Sequence, residues 1–261
     1  MSFAATDGVT LNYRIDGSDG LPLLVLSNGL GTVLSMWDAQ IPLLARAFRV
    51  MRYDARGHGA SSTPSLPFSI EHLGRDVLAL LDCLGVARAH FCGLSMGGMI
   101  GMWLGINAPD RLNSLVLANT AAHIGPRTMW NERIDVVNAK GMKAISDAAV
   151  ARWFTADFIS RQPDAVAEVK TAMERTSADG YVLCCAAVRD ADFREAIAGI
   201  RTPVLVISGA HDVATPPADG RYLAKRIAGS RSLVLDTAHL SNIESSREFS
   251  EALRSFCHAN E

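Results

Sequence analysis

The stretch "CGLSMGG" at residues 92–98 sets Ser95 between Gly93 and Gly97 in the spacing G-x-S-x-G. An apolar run, "AHFC", leads into it, and a helical pattern, "MGGMIGMWLGINA", leads out. A strand that turns abruptly into a helix forces its turn residue into strained backbone geometry. Side chains at the flanking positions would collide there, so glycine is required. The turn projects the serine hydroxyl from the strand end, and the helix that follows offers its first N–H groups and the positive end of its dipole. The chemistry that fits is acyl transfer through a covalent serine ester. The structural alternative is a glycine-rich turn.

A serine nucleophile needs a base, and the base needs an acid to orient it. His239 follows the run "SLVLD" in a short loop before a helix, and Asp212 follows "PVLVISG" in the same way. Both therefore belong at the sheet edge that carries Ser95. His258 lies near the C-terminus, His72 opens a predicted helix and His90 precedes the elbow strand, so none of them has a reason to face Ser95. His58, in "ARGHGASS", reads as a brace for a loop near the site. Asp54 also ends a strand and is the rival acid. His211 neighbours Asp212, and adjacent residues at a strand end point apart, while Asp236 is too close in sequence to His239. Two backbone donors complete the set as an oxyanion hole: Met96, just after the nucleophile, and Leu30 in the loop "NGLGT". Each such donor is worth about 10²–10³ in rate.

The elements that must hold these residues show in the hydrophobic pattern. "PLLVLSNG", "FRVMRYD", "AHFCG" and "SLVLAN" are short apolar runs ending in turn residues, as buried parallel strands do. Residues 69–84 carry a helical apolar stripe, from Ile70 through Leu73, Val77 and Leu80 to Leu84, with Ser69 as N-cap. Asp7-Gly8 predicts a hairpin turn at the start. From Thr120 to Ala198 the strands stop, and patterns such as "TMWNERIDVVNAKG" and "DAVAEVKTAMERTSADGYVLCCAAV" are helical. The alternation resumes with "TPVLVISG", a helix around 217–228, "SLVLD" and a closing helix around 244–257. The expected architecture is α/β: a mostly parallel sheet of about eight strands flanked by helices, with a helical cap inserted after the sixth strand. Residues 1–119 and 199–261 would form the core, and 120–198 the cap.

Composition narrows the function classes. The 261 residues are 49% hydrophobic and 20% charged with a formal net charge of −2, so no basic field invites nucleic acid and no polybasic patch invites a membrane. No apolar run reaches the roughly 18 residues of a membrane span. "MSFAATDGVTLNY" lacks the pattern of a secretory signal, and a cytoplasmic location is expected. The five cysteines include no C-x-x-C pair, which argues against a disulfide framework or zinc site and for small buried residues. Nothing in the sequence assigns an oligomeric state.

Taken together, the motifs resemble those of the α/β-hydrolases, whose chain order of nucleophile, acid and base is that of Ser95, Asp212 and His239. Within that superfamily the chain closely resembles the bacterial 3-oxoadipate enol-lactonases. The matching stretches are "SNGLGTVLSMWDAQ", "YDARGHGASS", "CGLSMGGMIG", "RWFTADF", "CCAAVRDADFREAI", "DVATPP" and "AHLSNIE". The oxyanion loop begins Asn28-Gly29 where many relatives have His-Gly, which resembles the lactonase version. The resemblance implies a serine hydrolase that opens an enol-lactone bearing an acetate arm to 3-oxoadipate, in the β-ketoadipate branch of aromatic catabolism, with no metal or organic cofactor. Rival readings are another cap-bearing carboxylesterase, a carbon–carbon bond hydrolase of ring-cleavage products, or a ligand-binding receptor on the same scaffold. Dehalogenases and epoxide hydrolases of this fold carry aspartate at the elbow, and Ser95 argues against both.

The implied substrate is a small anion, so its pocket needs a cation. Most cap cations, from Arg127 to Arg194, read as solvated charges on amphipathic helices. Arg133 stands apart because it lies one turn past Trp130, where an aromatic wall and a guanidinium fork can meet a carboxylate. Its alternative is a surface ion pair with Glu132 or Asp135. Trp153 is a second wall candidate, or else a core aromatic of the cap.

Overall fold

Each continuous apolar run becomes a strand of one sheet in the computed structural model, which describes residues 2–6 and 8–261. In chain order the strands are β1 (Ser2–Thr6), β2 (Val9–Asp16), β3 (Leu23–Ser27), β4 (Arg49–Tyr53), β5 (Ala89–Leu94), β6 (Leu112–Ala118), β7 (Val204–Gly209) and β8 (Arg231–Leu235). Their spatial order is β1-β2-β4-β3-β5-β6-β7-β8. The first two pairings, β1 with β2 and β2 with β4, are antiparallel, and all the others are parallel. Every residue of β3, β5 and β7 is buried, as strands covered on both faces must be. β8 closes one edge and leaves most of its residues at least partly exposed. At the other edge Thr6 pairs with Val9, and Gly8 takes the left-handed φ of +76° that a tight turn needs. Asp7, the other half of the predicted turn, lies outside the described residues.

The helices follow the predicted stripes. After the short α1 (Ile41–Leu44), α2 (Ile70–Cys83) starts where expected, with the Ser69 N–H bonded to His72 Nδ1 at 3.2 Å. α3 (Met96–Asn107) runs from the elbow through the core and is buried along most of its length. Between β6 and β7 lie α4 (Arg127–Lys140), α5 (Lys143–Trp153), α6 (Ala156–Arg161), α7 (Pro163–Glu174) and α8 (Ala178–Asp190), with no strand among the described residues of that segment. Here the sequence reading needs one correction. The long run from 164 to 188 is two helices, because Ser177 starts a new one by accepting the Gly180 N–H at 3.2 Å. α9 (Pro217–Arg226), α10 (Ser241–Glu244) and α11 (Ser246–His258) complete the chain. Four of the five cysteines are buried as expected; Cys83 is exposed.

Because β3 and β5–β8 are parallel, the loops that follow them leave from one edge of the sheet. Leu30 follows β3, Ser95 follows β5, Asp212 follows β7 and His239 follows β8. The crevice outside the carboxyl ends of parallel strands is where such sheets bind ligands.

Two histidines are built into the interior and set an acid limit on stability. His90 on β5 bonds Ser114 Oγ at 2.8 Å, and His58 lies under the cap, each almost fully buried. Burial pushes both imidazoles down to about 4, in His58 against the opposing pull of the Arg56 carbonyl and Asp54. Between an ordinary value of 6.5 and about 4 the unfolded chain therefore binds protons that the folded chain does not, so stability falls as pH falls through that window. Each histidine is expected to remove about 2 kcal/mol between pH 7 and pH 5. Urea unfolding at the two pH values measures the sum, and His90→Gln should show about half the wild-type loss. An undiminished loss in that variant would remove His90 from the account.

Candidate active site

Ser95 occupies the elbow with φ +58° and ψ −113°, a left-handed conformation rare for any residue with a side chain. The turn is locked from both sides: the Ser95 N–H donates to Ala118 O at 2.9 Å, and Thr120 Oγ1 donates to Ser95 O at 2.7 Å. The flanking glycines are dictated by packing. A Cβ on Gly93 would sit 2.0 Å from the Gly97 carbonyl oxygen, and one on Gly97 would sit 2.3 Å from that of Ser27.

His239 Nδ1 lies 2.8 Å from Asp212 Oδ2, and both residues are buried. Asp212 also accepts the N–H groups of Ala214 and Thr215 on Oδ1, at 2.8 and 2.9 Å. On Oδ2 it accepts Thr215 Oγ1 at 2.8 Å and Asn119 Nδ2 at 3.0 Å. Burial works to raise this carboxyl, but the His239 charge and hydrogen bond, with those of Thr215 and Asn119, hold it below the usual carboxylate range. An ionised Asp212 keeps the His239 proton on Nδ1 and leaves Nε2 free to act as a base. Sequence reasoning missed Asn119. Its signal was a turn at the end of β6, where it takes a left-handed φ of +43° and also accepts Ser241 Oγ at 2.5 Å.

The rivals are occupied elsewhere. Asp54 braces loops by accepting Asn12 Nδ2, the Ala60 N–H and the Leu34 N–H, at 2.7, 3.0 and 2.8 Å. His211 and Asp236 pair with each other at the surface, 2.8 Å apart. His58 is a brace, as its loop suggested: its Nε2 accepts the Gly31 N–H at 2.9 Å and so fixes the turn next to Leu30. Asn28 accepts Trp37 Nε1 and donates to the Tyr53 carbonyl, both at 2.9 Å, which turns its side chain into the core.

Above the elbow lies a cavity of about 570 Å³, a size typical of small-ligand sites. Ser95, His239, Leu30 and Met96 line it, and the cap contributes Trp130, Arg133 and Trp153, so every sequence candidate except the buried Asp212 borders this one space. The Arg133 guanidinium lies 4.8 Å from the Trp130 ring centroid. Among the described residues it makes no ion pair with Glu132 or Asp135, so the surface alternative is not the arrangement found. Trp153 fills both proposed parts: it is buried in the cap core and walls the cavity. Its carbonyl accepts the Leu240 N–H at 3.0 Å, and Glu244 accepts the Ala238 N–H at 2.9 Å while also holding Thr155. Two further lining residues, Arg152 and Tyr181, were not singled out in the sequence. Among the described residues no group of three or more His, Cys, Asp or Glu side chains is placed to hold a metal ion, and no helix is long and apolar enough to cross a membrane.

Comparison with known proteins agrees with this fold. The family model described as alpha/beta hydrolase fold matches residues 22–140. The chain is 45% identical over 245 residues to 3-oxoadipate enol-lactonase 2 of Acinetobacter baylyi, covering 94% of this chain and 92% of the relative. The crystal structure of the enol-lactonase from Burkholderia xenovorans superposes with a TM-score of 0.97 at 47% identity, over 98% of this chain and all of that one. A hydrolase from Pseudomonas aeruginosa superposes with a TM-score of 0.94 at 48% identity, over 98% of this chain and 97% of that one. The chain belongs to the α/β hydrolase superfamily, among the relatives of the bacterial 3-oxoadipate enol-lactonases. The chemistry general to that family, hydrolysis of small carboxylic esters, is its activity.

Proposed function

We propose that this chain opens 3-oxoadipate enol-lactone to 3-oxoadipate by a Ser95–His239–Asp212 acyl-enzyme mechanism. The observation that carries the reading is the cavity itself: Ser95 and His239 line it together with Arg133, a cation with no carboxylate partner of its own among the described residues. A lactone with a carboxylate arm is a ligand of the right charge for that wall.

In this reading Ser95 Oγ attacks the lactone carbonyl while His239 Nε2 takes its proton. Asp212 keeps the imidazole oriented and stabilises the imidazolium. The N–H groups of Leu30 and Met96 receive the charge that forms on the carbonyl oxygen. Collapse of the intermediate breaks the ring C–O bond. The departing enol oxygen takes the proton from His239, and the enol tautomerises to a ketone. A water molecule, deprotonated by His239, then attacks the acyl carbon. Its proton passes to Ser95 Oγ, and the new carboxylate leaves with the product.

A spectrophotometric panel tests the proposal. The enol-lactone, a simple aryl ester and a ring-cleavage dienoate are offered separately, and kcat/KM for the lactone is expected to exceed both others by a factor on the order of 10² or more. Preference for the dienoate would overturn the assignment in favour of carbon–carbon bond hydrolysis. Equal rates on lactone and aryl ester would leave a general esterase.

A further inference from the structure

Four of the cap's arginines have carboxylate partners, while the solvent-exposed Arg175 has no ion pair among the described residues. Arg127 pairs with Asp190 at 2.5 Å, Arg161 with Asp157 at 2.5 Å, Arg189 with Asp190 at 2.7 Å and Arg194 with Asp192 at 2.5 Å. Two others are set apart by lying in the cavity wall. Arg133 on α4 and Arg152 on α5 are both half-buried, both line the cavity above Ser95, and neither forms an ion pair among the described residues. Burial first, and then the charge of Arg133, lower the affinity of the Arg152 guanidinium for its proton, so the two cations feel each other. Asp219 is the one carboxylate among the described lining residues, and it bridges to neither.

Two like charges brought together in a partly desolvated wall oppose folding unless something offsets them. Among the described residues no carboxylate pairs with either. The surrounding groups suit an anionic guest: Trp130 lies under the Arg133 guanidinium, and Tyr181, buried beside it, is a hydrogen-bonding neighbour. Two planar forks can grip one carboxylate from two directions, each donating paired N–H bonds.

We propose that Arg133 and Arg152 act as a pair that grips a free carboxylate, which makes half-esters and lactones of short dicarboxylic acids the substrate class of this site. The inference rests on the lactonase reading for the use of Ser95, and it extends that reading to open-chain half-esters. For a half-ester, the Ser95 Oγ–acyl bond forms and the acyl–alkoxy bond breaks, the alcohol leaving with the proton held by His239. Water then cleaves the acyl–Oγ bond, and the products are the alcohol and the free dicarboxylate. The second carboxylate never reacts. It serves only as the handle.

The test compares monomethyl glutarate with dimethyl glutarate in the wild type, Arg152→Gln, Arg152→Lys and Arg133→Gln, with the enol-lactone assayed in parallel. The wild type should favour the half-ester at least tenfold in kcat/KM. That ratio should fall by about tenfold to a hundredfold in each glutamine variant, mainly through KM, with Arg152→Lys between. Free glutarate should inhibit the wild type competitively and the variants correspondingly less. An unchanged ratio in Arg152→Gln overturns the pair, and so does a wild type that prefers the diester. Should Arg152→Gln not fold by thermal unfolding, Arg152→Lys and glutarate inhibition of the wild type decide, and absence of inhibition counts against the proposal. The two readings fail separately: half-ester preference that depends on Arg152 without lactone turnover sinks the lactonase alone. Lactone turnover that is indifferent to Arg152 sinks the pair alone.

Discussion

Ser95→Ala is expected to lower kcat by a factor on the order of 10⁶ on any substrate the cavity accepts, while the chain stays folded. In the proposed mechanism the loss is this large because the hydroxyl alone bonds to the acyl carbon. What remains is positioning by the cavity and the two backbone donors, a residue of catalysis about 10³–10⁴ above water. Folding is spared because the contacts that lock the elbow, to Ala118 O and from Thr120 Oγ1, use the Ser95 backbone and not its side chain. A companion variant reads the strain directly. At φ +58° alanine is still penalised, whereas glycine is not, so Ser95→Gly should be more stable than Ser95→Ala by about 1 kcal/mol although both are inactive. Turnover, labelling by a fluorophosphonate and denaturant unfolding are the measurements. Retention of more than about 1% of wild-type kcat by the alanine variant would take Ser95 out of the mechanism.

Asp212→Asn should cost about 10⁴ in kcat with little change in KM. The amide is nearly isosteric, but its NH₂ group must go somewhere. Asp212 Oδ1 receives two backbone N–H groups and Oδ2 receives Thr215 Oγ1 and Asn119 Nδ2, so every direction around the carboxylate is already filled by donors. Turned toward His239, the amide nitrogen would face Nδ1, drive the imidazole proton to Nε2 and disarm the base. Turned the other way, it meets the backbone of Ala214 and Thr215 donor to donor. Asp236→Asn is the control, since that carboxylate only pairs with His211 at the surface, and its kcat should stay within about twofold. A comparable collapse in Asp236→Asn would return the choice of acid to the start.

What the sequence made legible and what it hid divide along a physical line. The strands, the elbow and the order of Ser95, Asp212 and His239 were readable because each is written locally, as an apolar run followed by turn residues. Gly93 was readable for the same reason, since its Cβ would meet the Gly97 carbonyl a few residues on, whereas Gly97 is required by the distant Ser27 carbonyl and was readable only through its spacing from Ser95. Asn119 was not, because it meets Asp212 and Ser241 only after β6 and β7 pair and the chain returns. Arg152 looked like any basic residue on a cap helix. Only the packing of α5 against α4 puts it in the cavity wall beside Arg133, and a one-dimensional pattern carries no trace of a neighbour on another helix. The break between α7 and α8 shows the reverse error. Good helical residues on both sides concealed a cap at Ser177 that local reading could have found.

The hydrogen bonds from Leu240 to the Trp153 carbonyl, and from Ala238 and Thr155 to the shared Glu244 carboxylate, have a bearing on how such enzymes diversify. The loop that carries His239 is suspended from the last turn of α5, the helix that also presents Arg152. A cap transplanted from another hydrolase would thus bring a new pocket and re-aim the base in one stroke, unless the donor's α5 ended at the same height. Chimeras that keep the junction from Trp153 to Thr155, and vary α4, should inherit new tastes without losing their bite. In this architecture the joint has to stay in place for the lid above it to be exchanged.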